Sequence, residues 1–273
     1  MQPTFLEIKS AAKNSLKHRW TEAVAVAAIL LAAGLLDTSM QSALMTVFKT
    51  DAVWSPFFPT VMPRYNLLAS IIITLFSSFY SLAVMFPLAF GAARWFWLIT
   101  AGSNPELLEI FYYFSSGKRF FKAVTLSFGL FLRLVIGVTV CFLPYAVCEA
   151  LLSPDFYDKI GISMPVSVSG LYPLATTFEI LGFLALLLFI GSHTLFFAVL
   201  FSEPELSAFR VLRKTVKLSK GQRFRFLGFV ISFIGWWILG VFMVTWLFII
   251  PYFVCATAVY GREEYRICHK NNL

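Results

Sequence analysis

Long apolar runs separated by short basic stretches make up almost the whole chain. The runs cover residues 21–36, extending to about 47, then 66–91, 120–151, 173–201 and 226–260. Most exceed the roughly 18 residues that mark a helix able to cross a bilayer. The last block is 35 residues long. As one helix it would measure about 52 Å, too long for a single untilted span. Trp236 and Trp237 stand near its middle, where a hairpin would bring them to an interface and a single helix would bury them in hydrocarbon. The pattern therefore predicts an all-α bundle of six spans, with five, one of them long and kinked, as the alternative.

Two of the intervening stretches carry helical periodicity of another kind. In residues 3–18, Lys9, Lys13 and Lys17 recur every four positions, and Phe5, Ile8 and Leu16 supply apolar surface. Further on, Arg210, Arg213, Lys214 and Lys217 fall at i, i+3, i+4 and i+7 and so share one face. Leu206, Phe209, Leu212 and Val216 lie opposite. Ser202 and Glu205 read as a capping box, Pro204 suits a first turn and Gly221 a stop. Both stretches are expected to lie on the membrane surface, the second as a contact for anionic headgroups. An ordinary loop helix flanking the spans is the plainer alternative.

Composition narrows the class. Of 273 residues 59% are hydrophobic and 13% charged, which excludes an ordinary soluble domain. The net charge of +8 is confined to the stretches between spans, so it reads as membrane flanks and not as a nucleic-acid surface. Counting Lys and Arg, the N-terminal, second and fourth connecting segments hold fifteen, against three (Lys49, Arg64, Lys159) in the two opposite loops. By the positive-inside rule the N-terminus is cytoplasmic, in a multi-pass protein of an inner membrane. A basic segment ahead of an apolar core also admits a signal peptide, although no clean cleavage site follows. The chain forms one membrane domain, with an amphipathic segment at 1–19, the bundle at 20–260 and a polar tail at 261–273.

Part of the pattern repeats. Ser103-Asn104-Pro105-Glu106-Leu107 matches Ser202-Glu203-Pro204-Glu205-Leu206, and Ser115-Ser116-Gly117-Lys118-Arg119-Phe120 matches Ser219-Lys220-Gly221-Gln222-Arg223-Phe224. Both copies sit between apolar runs, as a duplication would place them, though shared helix-start chemistry accounts for some of the match.

Candidate chemistry is sparse. Arg133 stands about 16 Å along its helix from Lys122, near mid-bilayer, where a charge calls for a partner. Glu179, in the outer half of the fourth span, is the expected one. His193 belongs near the inner interface, and Glu22 and Asp37 bracket the first span. Asp155, Asp158 and His269 are too scattered for a metal site. Cys141, Cys148, Cys255 and Cys268 form neither a disulfide framework nor a zinc spacing. No nucleophile elbow, phosphate loop or zinc-protease motif occurs, so neither enzyme chemistry nor a cofactor is expected.

The stretch 202–260 resembles the bacterial membrane family called domain of unknown function 975. Pro204, Lys220-Gly221, Ser232-Phe233-Ile234-Gly235-Trp236, Pro251-Tyr252, Thr257 and Tyr260 carry the resemblance, and Pro87 and Gly91 fit an earlier Pro-x-x-x-Gly element. The family's usual glycines near Met243 and Thr245, and its Trp at Phe248, are missing. The resemblance implies a polytopic bacterial membrane protein and no particular activity. The function expected is a non-enzymatic scaffold or a subunit with a membrane-protein partner, seated in the bilayer on anionic headgroups. A small-solute or lipid transporter using Arg133 and Glu179 is the alternative.

Overall fold

The structure is a computed structural model describing residues 2–48, 52–53, 62–63, 67–153, 157, 161, 170–242 and 245–270. It is helical apart from one short antiparallel ladder, β1 (Ala52–Val53) with β2 (Met62–Pro63). Lys49, Asp51, Trp54, Pro56, Pro59, Arg64, Asp155, Asp158, Lys159 and Met243, named above as loop or family positions, lie outside the described residues.

Among the described residues four helices are long and apolar enough to cross a membrane: Trp20–Val47, Leu68–Thr100, Gly117–Leu152 and Tyr172–Ser202. The first is α2 (Trp20–Val47). The second joins α3 (Leu67–Tyr80) through a π-helical turn, Ser81–Met85, to α4 (Phe86–Thr100). Proline has no N–H to return to the preceding turn, and the wider turn just before Pro87 absorbs that loss without breaking the helix. The third is α5 (Gly117–Leu152). The fourth is α6 (Tyr172–Gly191), a turn, and α7 (Phe196–Ser202).

The last apolar block is a hairpin. Its first arm is α9 (Arg223–Ile231) and α10 (Ile234–Leu239), and its second is α11 (Trp246–Lys270). Ring contacts of Phe229 with Tyr260, Phe233 with Phe253 and Trp237 with Trp246 set an antiparallel register. Neither arm reaches the length and apolarity of the four long helices. Among the described residues the long apolar helices therefore number four, where six spans were expected.

The N-terminal helix α1 (Phe5–Leu16) has the reciprocal Thr4–Glu7 capping box. Its stripe of Ile8, Ala12 and Leu16 is buried. Protein covers it where lipid was expected: Phe5 packs on Phe229, Lys9 donates to the Ser232 carbonyl at 2.6 Å, and Cys255 reaches the Ala12 carbonyl. Trp95 is fully buried in the same core with Phe96, Phe229 and Tyr260. Arg225 completes the joint, donating to the Pro3 carbonyl and pairing with the fully buried Glu264. The first and last helices thus meet at one end of the molecule.

A 3-10 segment, Leu107–Phe114, lies against α4. Its approach depends on Gly91, where a Cβ would overlap the Ile110 carbonyl oxygen. The Pro-x-x-x-Gly element thus has two structural duties four residues apart, one in each neighbouring turn.

A cationic groove and an apolar hollow at the basic end

The basic helix α8 (Ala208–Leu218) starts later than its capping box implies. Ser202 ends α7 and Glu203 sits at φ −130°, ψ 67°, off the helix. Proline disfavours helical backbone in the residue before it, so Pro204 ends one helix where it was expected to open another. Freed from the helix, the Glu203 carboxylate accepts from Lys214, at 2.7 Å to Oε2, and from the Tyr265 hydroxyl. Burial pushes this carboxyl up, but the Lys214 and Tyr265 bonds outweigh it and hold it below the usual range. Burial and the same carboxylate push the Tyr265 phenol up to about 12.

The apolar face of α8 is Ala208, Val211, Leu212 and Thr215, packed on α5. Leu212 reaches Gly129, where a Cβ would stand 2.6 Å from its Cδ1. Phe209, expected on that face, is 70% exposed. Arg210, Arg213 and Lys217 are exposed, and Lys214 is half-buried. Among the described residues the ion pairs take up Lys214 and leave the other three without a carboxylate. These side chains line a groove of about 770 Å³ closed on its far side by Cys268 and His269 from α11. His269 therefore joins the basic helix through the fold. Of the four charges expected to meet anionic headgroups, the one on Lys214 is already neutralised by Glu203.

Arg133 and Glu179 do not meet. Helices α5 and α6 run antiparallel, with Gly137 against Phe189 and Phe142 against Phe183. That register sets Arg133 opposite His193 and Glu179 beside Tyr145. Some 13 residues of helix, about 20 Å, separate the expected partners. Arg133 instead donates to the Leu212 carbonyl at 3.0 Å and lies 3.4 Å from His193 Nε2. A guanidinium only donates, so Nε2 accepts and the ring proton sits on Nδ1. Nδ1 is 3.0 Å from Ser192 Oγ and 3.3 Å from the Phe189 carbonyl.

Arg133 lies against the basic layer, bonded to α8, whose Arg210, Arg213 and Lys217 side chains are exposed. The preceding turns of α5 run beside the same basic layer, where Lys122 donates to the Pro204 carbonyl. The remaining 19 residues to Leu152 span about 28 Å, close to the hydrocarbon thickness.

Around Arg133 more positive charge gathers. Arg213 follows Leu212 and is near enough for the like charges to interact. Arg223 packs on Gly191, within electrostatic reach of His193, and its Nε is buried without a hydrogen-bond partner. Beside Arg133 and His193 opens a hollow of about 190 Å³ lined also by Phe86, Leu130, Phe131, Phe189 and Ile190.

A second polar cluster, unforeseen as such, joins α2 to α3. Gln41 donates to Asp37 Oδ2 and lies 3.0 Å from Ser77 Oγ, which donates to the same carboxylate. Tyr80 donates to the Ala33 carbonyl one turn away, next to the π-helical turn. Asp37 was expected at an interface, and its spacing to Gln41 was the one available clue. Among the described residues no group of His, Cys, Asp and Glu could hold a metal.

Four long apolar helices among the described residues mark a helical membrane protein. The chain belongs to the family described as "Protein of unknown function (DUF975)", whose model matches residues 1–266. No curated protein and no solved structure matches it.

Proposed function

We propose that the protein is a non-enzymatic scaffold or partner subunit of a bacterial inner membrane, docked on anionic headgroups through α8. The observation that carries this is the set Arg210, Arg213 and Lys217, exposed around one groove and absent from the ion pairs. Each such charge near an anionic leaflet is worth about 1 kcal/mol. In this reading the basic end faces the cytoplasm with both chain termini. The terminal hairpin enters the bilayer and returns, giving six membrane segments with the four long helices. The two Ser-x-Pro-Glu-Leu copies, each leading from one apolar helix to the next, support an ancestral duplication.

The test compares lipids co-purified with the wild type and with an Arg210→Gln, Lys217→Gln variant. Phosphatidylglycerol should be enriched over phosphatidylethanolamine around the wild type and fall to the membrane average in the variant. Equal enrichment in both would sink the headgroup reading. A stoichiometric protein partner is the companion expectation, and a chain always isolated alone counts against the subunit role.

A second reading, solute transport, now rests on Asp37. An ionisable group held between membrane helices beside a π-turn is a common site of ion or solute passage. If Asp37→Asn leaves folding and every uptake phenotype unchanged, that reading is lost.

A further inference from the structure

The groove beside α8 divides its charge in two. Arg210 and Arg213 stand near the start of the helix, Lys217 near its end and Lys220 in the turn that follows. All four side chains are exposed and line the groove. Between the two pairs Lys214 is held by Glu203, at 2.7 Å to Oε2, so the middle of the row is neutral. Among the described residues neither outer pair meets a carboxylate. At the helical rise the midpoints of the pairs lie about 10 Å apart.

The opposite wall is tied in place. Cys268 Sγ donates to the Leu218 carbonyl, and His269 stacks on Tyr265, whose hydroxyl donates to Glu203. The carboxylate that neutralises the centre of the groove therefore also joins its two walls. A groove of about 770 Å³ held in this way is a preorganised site large enough for a whole small ligand. Like charges one turn apart repel, and an anion seated on each pair relieves that repulsion. A molecule carrying two phosphates on a short linker satisfies both pairs, and its second contact is intramolecular. The lining also includes Leu206, ahead of Arg210, and Leu218, next to Lys217. Each pair thus has apolar surface near it, which an amphiphile uses and a free anion does not.

We propose that the groove seats one diphosphatidylglycerol molecule, one phosphate on Arg210 and Arg213 and the other on Lys217 and Lys220. Basic pockets at the cytoplasmic ends of membrane helices suit such a headgroup. The proposal rests on the headgroup reading and narrows it. That reading asks only for negative lipid, whereas this one asks for two negative charges on the same molecule.

Native mass spectrometry of the delipidated full chain in mild detergent tests it. Diphosphatidylglycerol, phosphatidylglycerol, phosphatidylethanolamine and inorganic pyrophosphate are added separately and in competition. The wild type should fill with one diphosphatidylglycerol or with two phosphatidylglycerols. It should retain the former about tenfold more tightly, a difference of about 1.4 kcal/mol. Arg210→Gln with Arg213→Gln, or Lys217→Gln with Lys220→Gln, should each abolish that preference and leave room for one phosphatidylglycerol. Lys217→Arg with Lys220→Arg keeps the charge and should keep the preference, and its loss there overturns the proposal. Equal retention of the two anionic lipids by the wild type overturns the two-phosphate seat and leaves the headgroup reading standing. Equal retention of all three lipids, zwitterionic phosphatidylethanolamine included, sinks both. Pyrophosphate carries its charges on adjacent phosphates and cannot span the pairs. If it displaces the lipid at equal concentration, the lipid assignment is overturned.

Discussion

Single residues set the close contacts. Gly91→Ala would place a methyl group in the Ile110 carbonyl. Overpacking of this kind costs about 1–3 kcal/mol. The thermal midpoint in detergent should fall, while Gly117→Ala, with nothing near its Cβ, should leave it nearly unchanged. Glu203 gives the pH dependence. Its folded carboxyl titrates below the unfolded one, so its contribution is complete above the ordinary carboxylate range and is lost as pH falls through the depressed value. Glu203→Gln should flatten the acid limb of a stability-against-pH curve, and an unchanged limb would remove Glu203 from the account. The residue types were legible in the sequence. Their partners were not, because Pro204 changed which helix Glu203 belongs to and the α5–α6 register chose His193 for Arg133.

Among elements, the hairpin turn shows how backbone behaves without water. The exposed Val241 and Phe242 make its tip apolar, with no charged residue between Arg225 and Arg262. Among the described residues, the carbonyls of the turn accept from its own backbone and side chains. Thr245 Oγ1 donates to Leu239 and Phe242, and the Trp246 indole donates to Gly240. In lipid such groups must be satisfied internally. Thr245→Val should cost about 1 kcal/mol by removing a side-chain hydrogen bond, the Phe242 and Thr245 N–H groups still reaching those carbonyls, read as earlier unfolding in a detergent titration. Thr245→Ser should restore most of the loss. The hairpin itself was readable from block length and the paired Trp. The missing family glycines did not prevent it, because Thr245 and Trp246 close the turn by side-chain bonds. The sequence copies diverge in form: one is the 3-10 segment Leu107–Phe114, the other the longer α8, and five extra residues let the second complete its helix.

For the whole molecule, helix class and the apolar runs were plain from hydropathy, since lipid exposure leaves long unbroken runs. The buried end was not. Its apolar stripes look the same whether protein or lipid covers them, which is why α1 was read as a surface helix. Reporter fusions at both termini should show the same, cytoplasmic side. Opposite sides would contradict the contact of Arg225 with Pro3 and Glu264.

That contact also has a consequence in time. Ile8, Ala12 and Leu16 leave the ribosome well before their covering partners Phe229, Cys255 and Tyr260 are made. Until then α1 is without its socket, and the bilayer surface is the nearest substitute for that socket. The amphipathic face read from the sequence then describes the nascent chain well, and docking of α1 becomes the closing act of assembly. A chain stopped short of α9 would be inserted but unfinished, its leading helix open to proteases.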